Sequence, residues 1–378
     1  MKQIPLTIFD ETLRDGEQQV GIFFDAATKS DLAKLIAQTG VHHLALMPAI
    51  HSTEAELAKN LALQYPQIIT ASTMMGKKHI DRSLSCGVKT IILFNAVSDR
   101  LLTLRDSHAN SNTIAIEQIR DRMLERVLTH LKYAASRGLR ICFAAEDASR
   151  ADFDFLVECI NKFQPYIEQF LLCDTVGILT PEDTKLWIRN LIEFTDNRTP
   201  LSVHFHNDRG LALENTIQAV LAGATGISGT FGGIGERAGN VALEQVLRGL
   251  KLRYGWQIEG INYDTLSEVT NYLSQRGFIA NTPYSPESLR YETGIHVDSL
   301  CSDRVSYYLF PQGQPEVWYG KFSGASNFQY LFEHCLGLPQ PREKYQEFRE
   351  KIKNMAIAQK RSFSQEEVVE LLGYGFKR

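Results

Sequence analysis

RICFAAEDASRADFDFLVECINKFQPYIEQFLLCDTVGILTPEDTKLWIRNLIEF, residues 140–194, contains the fold in miniature. Its apolar runs Arg140–Ala144 and Gln169–Cys173 are too short for helices and read as strands buried on both faces. Ala151–Phe163 and Pro181–Phe194 instead space their apolar residues three and four apart, as amphipathic helices do. Pro181 suits a first helical turn, where an amide hydrogen has no partner to lose. Two strand–helix units in succession imply a parallel sheet.

The alternation continues on both sides. Strand-like runs fall at Leu6–Phe9, His43–Met47, Ile68–Ser72, Thr90–Phe94, Arg140–Ala144, Gln169–Cys173, Leu201–His206 and Gly226–Phe231. Eight runs over about 260 residues match a closed (β/α)8 TIM barrel, whose functional groups stand at the C-terminal ends of the strands. Ala26–Thr39, Ile116–Ser136 and Leu213–Ala222 read as further helices, and Asn240–Arg253 as the closing one. From about Glu259 the repeat stops. Residues 1–260 are therefore expected to form the barrel, and residues 261–378 a small C-terminal α/β subdomain with a helical tail at Pro341–Gln359 and Ser364–Leu372.

With 44% hydrophobic and 22% charged residues in 378, the composition is that of a globular protein. A formal net charge of -4 argues against a broad nucleic-acid footprint. No stretch approaches the ~20 apolar residues of a membrane span, and the N-terminus has no apolar signal core. The expectation is a cytoplasmic protein with small-molecule partners, no nucleic acid and no membrane. The six cysteines are scattered without a C-x-x-C pair, which suits reduced thiols, and Cys142 and Cys173 read as core residues.

Polar residues collect at the strand ends. Arg14 and Asp15 follow the first strand, Glu146 the fifth and Thr175 the sixth; His204 and His206 end the seventh, and Glu236–Asn240 follow the eighth. A His-x-His pair on a strand turns both imidazoles to one side. With Asp15 it makes a two-histidine, one-carboxylate set suited to a divalent metal acting as Lewis acid, and Asn240 stands at a matching strand end. The glycine spacing in GTFGGIGERAGN (Gly229–Asn240) does not fit a dinucleotide loop; it reads as a turn that lets backbone approach a ligand and directs Asn240 at the metal.

At these residues the sequence resembles the homocitrate synthase and 2-isopropylmalate synthase family. The motifs are LRDGEQ (Leu13–Gln18), FAAEDASR (Phe143–Arg150), DTVGILTP (Asp174–Pro181), HFHND (His204–Asp208), GGIGERAGN (Gly232–Asn240), GIHVDS (Gly294–Ser299) and GKFSG (Gly320–Gly324). The resemblance implies an acyltransferase that condenses acetyl-CoA with a 2-oxo acid and releases CoA. It implies a divalent metal (Mg, Mn, Co or Zn) on Asp15, His204 and His206, with Asn240 in or near the ligand set. Arg14 would polarise the 2-oxo group, Gln18 would lie near substrate, and the Thr175 hydroxyl would hold its carboxylate. Glu146, His296 and Tyr307 would form the acid–base group. It further implies a homodimer in which the C-terminal part covers the barrel mouth and His296 serves the neighbouring subunit's site. A 3-hydroxyacyl-CoA lyase would share the metal residues, but the GIHVD…GKFSG region belongs to the synthases.

Three departures from the family pattern bear on the substrate. Leu44 stands where the family carries a glutamate, Ala144 where it carries a serine, and Phe94 and Asn95 where polar substrate contacts are expected. A buried carboxylate without a partner is costly, so an apolar pocket favours an apolar substituent. The expected substrate is a large hydrophobic 2-oxo acid such as phenylpyruvate, giving benzylmalate as the first step of amino-acid chain elongation. 2-Oxoisovalerate comes next, and then 2-oxoglutarate, whose distal carboxylate would need Arg100 or Arg150.

Overall fold

The structure is a computed structural model that describes residues 2–106, 114–196, 199–307 and 314–374. Eight parallel strands close into a barrel: β1 (Thr7–Asp10), β2 (His43–Leu46), β3 (Ile69–Met74), β4 (Thr90–Ala96), β5 (Arg140–Glu146), β6 (Gln169–Asp174), β7 (Leu201–Phe205) and β8 (Gly226–Gly229). The barrel shuts where β8 pairs with β1, Ile227 opposite Ile8. Every expected strand is present, with shifted ends. β4 and β5 each run two residues further, which carries Glu146 to the end of β5. β8 stops at Gly229 because a 3-10 turn, Phe231–Gly233, begins there. His206 lies just past β7 and is held by an antiparallel bridge to Asn240.

Period-two alternation sorts the strand residues. Phe9, Ala45, Ile92, Cys142 and Leu171 point inward and make a small core within the barrel, with Ala144 packed against it. Their outward neighbours, among them Ile8, Leu44, Ile91, Phe143 and Leu172, join the much larger core between sheet and helices.

Lys2–Ile4 pairs in parallel with Trp256–Ile258, and helix Leu266–Gln275 packs on helix Ala26–Gln38. The C-terminal part is mainly helical: Gly294–Ser302, Ala325–Gln329, Arg342–Gln359 and Gln365–Leu371, with one two-residue parallel pair, Arg290–Tyr291 with Glu316–Val317. A buried charge cluster ties it to the barrel. Lys321 Nζ lies 2.8 Å from Glu17 and 2.5 Å from Glu54, and Lys29 Nζ lies 2.6 Å from each of the same two carboxylates. All four side chains are buried. Among the described residues, no helix is long and apolar enough to cross a membrane.

Candidate active site

The C-terminal ends of β1 and β7 bring Asp15, His204 and His206 together, all buried, with one ligand atom from each within 4.8 Å of the others. His204 Nδ1 contacts the Ser228 hydroxyl at 2.9 Å, which turns Nε2 toward Asp15 Oδ2, 3.8 Å away. His206 Nε2 lies 4.0 Å from the same oxygen. These separations are too long for hydrogen bonds but suit ligands sharing one ion. Burial pushes the His204 imidazole down to about 4 and His206 well below its ordinary range, so both offer lone pairs at neutral pH. Burial raises Asp15, but Arg14 and the two imidazoles outweigh it and hold the carboxyl below the usual range. Asn240 donates to Asp15 Oδ1 at 2.8 Å, while its own Oδ1 is buried without a partner. An orphaned acceptor beside two neutral imidazoles and a carboxylate is what a cation would satisfy. The donor set therefore fits a divalent metal.

The Gly-rich loop makes this approach possible. A Cβ on Gly235 would stand 2.1 Å from Asn240 Nδ2 and 2.6 Å from Asp15 Oδ1, so no side chain is tolerated there. Next to it, the fully buried Arg237 donates to both Asp208 oxygens, at 2.8 and 3.0 Å, and to the Thr175 carbonyl. That brace couples the loops after β6, β7 and β8. The Thr175 hydroxyl accepts the Asp147 amide at 2.8 Å, which leaves its own proton for a ligand. Arg14 donates to Glu11 at 2.7 Å and to Gln18 at 3.2 Å, and lies 3.0 Å from Asp15.

On the β5 side, Glu146 takes a two-pronged contact from Arg105 at 2.5 and 2.8 Å and a hydrogen bond from Tyr307. Burial would raise this carboxyl, yet Arg105 brings it down to about 2. His296, on helix Gly294–Ser302, packs its ring 4.0 Å from that of Tyr307. Its Nδ1 lies 3.0 Å from Glu236 Oε1, without hydrogen-bond alignment.

A cavity of about 570 Å³ joins these groups, lined by Arg14, Asp15, Gln18, Phe94, Ala144, Glu146, Thr175, His204, His206 and His296. Asn240 and Tyr307 meet it through Asp15 and Glu146. One wall is apolar: Met47, Met74, Ile92, Phe94, Ala144 and Leu171. Cys173, expected in the core, is buried but also lines the cavity.

Several expectations are corrected. Leu44 is fully buried in the sheet–helix layer and does not border the cavity, because on β2 it is Ala45 that faces inward. Arg100 pairs with Asp303 at 2.7 Å, and Arg150 with Asp147 at 2.6 Å; neither lines the cavity. His296 lines the cavity of its own barrel, with Nδ1 beside Glu236. Asn95 accepts from Arg126 and donates to the Ala96 carbonyl at 2.8 Å. Sequence reasoning missed Arg105 and the contact between Glu236 and His296. Arg105 ends helix Asp99–Arg105, beyond any strand end, and carried no motif; Glu236 lay in a noted loop, and its partner is 60 residues away.

Comparisons with known proteins agree with the geometry. The family model described as HMGL-like matches residues 5–273. The homocitrate synthase AksA of Methanothermobacter thermautotrophicus is 32% identical over 84% of this chain and 81% of its own length. The 2-isopropylmalate synthase of Sulfolobus acidocaldarius is 32% identical over 93% of this chain and 91% of its own. Among solved structures, hydroxymethylglutaryl-CoA lyase from Pseudomonas aeruginosa superposes with a TM-score of 0.59 at 22% identity, over 76% of this chain and 97% of that one. The last likeness is one of fold.

Proposed function

The chain belongs to the HMGL-like family, and from that premise we propose that it is an acyltransferase condensing acetyl-CoA with a large hydrophobic 2-oxo acid, phenylpyruvate to benzylmalate. The observation that carries the substrate assignment is the apolar wall around Ala144, Phe94 and Ile92, in the same cavity as the Asp15, His204 and His206 cluster. A divalent cation held by Asp15, His204 and His206 would act there as a Lewis acid toward a carbonyl oxygen.

The chain's own groups account for the rest. The Thr175 hydroxyl donates to the substrate carboxylate, and Arg14, fixed by Glu11 and Gln18, directs its guanidinium at the 2-oxo oxygen. The acetyl methyl group has very low acidity and needs a positioned base. Glu146, ionised and held at about 2, is a weak base; it serves to orient Arg105 and Tyr307. Proton transfer at the methyl carbon then falls to His296, with Glu236 3.0 Å from its Nδ1 to stabilise the imidazolium. Tyr307 spends its one O–H proton on Glu146, and Arg105 donates to Glu146 and Tyr307, so this group is closed on itself and holds the Tyr307 ring against His296. The carbanion equivalent attacks the 2-oxo carbon, the 2-oxo oxygen takes up a proton in place of the one that His296 removed, and water cleaves the thioester to free CoA and a 2-substituted malate. We further propose that residues 261–378 act as the cap over the barrel mouth and that the protein is a homodimer, which light scattering tests directly.

Release of free thiol from acetyl-CoA, with Mg or Mn added, is to be compared across phenylpyruvate, 4-hydroxyphenylpyruvate, 2-oxoisovalerate, 2-oxoglutarate and pyruvate. Phenylpyruvate is expected to give the highest kcat/KM. Ala144→Leu, which fills the apolar side, should lower kcat/KM for phenylpyruvate relative to pyruvate by about 10- to 100-fold, the range over which pocket volume discriminates. A clear preference for 2-oxoglutarate or 2-oxoisovalerate in the unmodified protein would overturn the assignment and leave Ala144 and Phe94 as packing residues.

A further inference from the structure

The same cavity carries positive charge that the condensation chemistry leaves unused. Arg82, on helix Lys77–Ser85, and Lys353, on helix Arg342–Gln359, both line it. Arg349 lines it as well, one helical turn before Lys353, and is ion-paired with the exposed Glu350. This marks the solvent rim, with Lys353 set deeper and only 8% exposed. Arg82 donates to the backbone carbonyls of Pro48 at 2.9 Å and His51 at 3.3 Å, and Lys353 to that of Ile50 at 3.3 Å. Neither cation has a carboxylate partner at ion-pair distance among the described residues. Of the five N–H donors of an arginine and the three of a lysine, this loop engages two and one, so both keep donors for a ligand.

A buried lysine without an acid is costly unless something anionic arrives to meet it. Two such cations converging on one short loop, beside an exposed rim, describe a place for an anion with several oxygens. The short 2-oxo acid has its carboxylate accommodated at Thr175 and its substituent against the apolar wall. The ligand with anionic groups left over, and with the length to reach the rim, is the thioester. Resting on the condensing activity above, we propose that Arg82 and Lys353 form a subsite for the phosphate groups of acetyl-CoA, which sets the enzyme's selectivity for a nucleotide-bearing thioester.

The test compares kcat/KM for acetyl-CoA with that for S-acetyl-N-acetylcysteamine, a phosphate-free acetyl thioester, in the unmodified protein and in Arg82→Gln, Lys353→Met and Lys353→Arg. The equilibrium Kd of CoA itself is measured on the same proteins. For Arg82→Gln and Lys353→Met the acetyl-CoA to acetylcysteamine ratio should fall by about tenfold or more, the effect of one charge-assisted hydrogen bond. The Kd of CoA should rise by a similar factor, and Lys353→Arg should recover most of both. An unchanged ratio with unchanged Kd overturns the subsite. So does a loss confined to 2-oxoglutarate relative to phenylpyruvate, which would assign the cations to a substrate's second carboxylate. If no thioester is turned over with any 2-oxo acid, the condensing reading fails, and the Kd series still decides the subsite by itself.

Discussion

Asp15→Ala is expected to lower kcat/KM by at least about a thousandfold, the upper range for removing one preorganised electrostatic group. Asp15 is the hub of the site: both imidazoles face its Oδ2 at 3.8 and 4.0 Å, Arg14 lies 3.0 Å away, and Asn240 donates to its other oxygen at 2.8 Å. Removing it takes away the only carboxylate of the proposed metal set and leaves Glu11 as the one acid at ion-pair distance from Arg14 among the described residues. The check has two parts, the steady-state rate and the Mn content after equilibration and desalting. Loss of both is the expected outcome. Full metal loading in the variant would show that the cation lies elsewhere, and a rate within tenfold of the unmodified protein would remove Asp15 from the mechanism.

The second large effect concerns stability. Lys321→Met should destabilise the protein by about 3–5 kcal/mol, the cost of breaking a buried ion cluster by removing one member. Lys321 reaches from the GKFSG segment into the barrel and lies 2.8 Å from Glu17 and 2.5 Å from Glu54, which then share Lys29 alone. One surplus negative charge is left where water cannot reach it. Because Phe322 and Ser323 border the cavity, the variant should also lose activity before it unfolds globally. Urea denaturation followed by tyrosine fluorescence and by activity provides the measurement. Arg100→Gln, which breaks the partly exposed pair with Asp303, serves as the contrast and should change stability by less than about 1 kcal/mol. Should Lys321→Met fall in that same small range, the cluster is not what joins the cap to the barrel. Adding Glu54→Gln to Lys321→Met should recover part of the loss, since it restores the balance of charge.

The two effects rest on parts of the molecule that differ in how visible they were beforehand. Asp15, His204 and His206 each lie at or just beyond a strand end, and strand ends are readable from hydrophobic runs; their meeting at one rim follows from barrel closure. Nothing local marks Lys321 as the partner of Glu17 and Glu54. Lys321 and Glu17 lie 304 residues apart in the chain, and the three belong to a loop, a helix and a turn with no shared pattern. Arg105 escaped notice for the same reason, being a helix-end arginine whose partners Glu146 and Tyr307 come from two other segments. Leu44 shows the converse error: its position in a motif implied a role in the pocket, yet a strand residue one place out of phase faces the helices.

By itself the sequence determined the barrel, the order of its strands and the location of the metal-competent residues. All of these follow from short-range periodicity and from the geometric rule that a closed parallel barrel gathers its strand ends on one face. Only the tertiary structure decided which face of β2 meets the cavity, that the Glu146 carboxylate is charge-paired with Arg105, that His296 lines the cavity of its own barrel, and that Arg82 and Lys353 line it with no carboxylate at ion-pair distance among the described residues. Those outcomes depend on the distances between charges and on their burial. Coulomb and desolvation energies change steeply over a few ångströms, and chain spacing does not encode them.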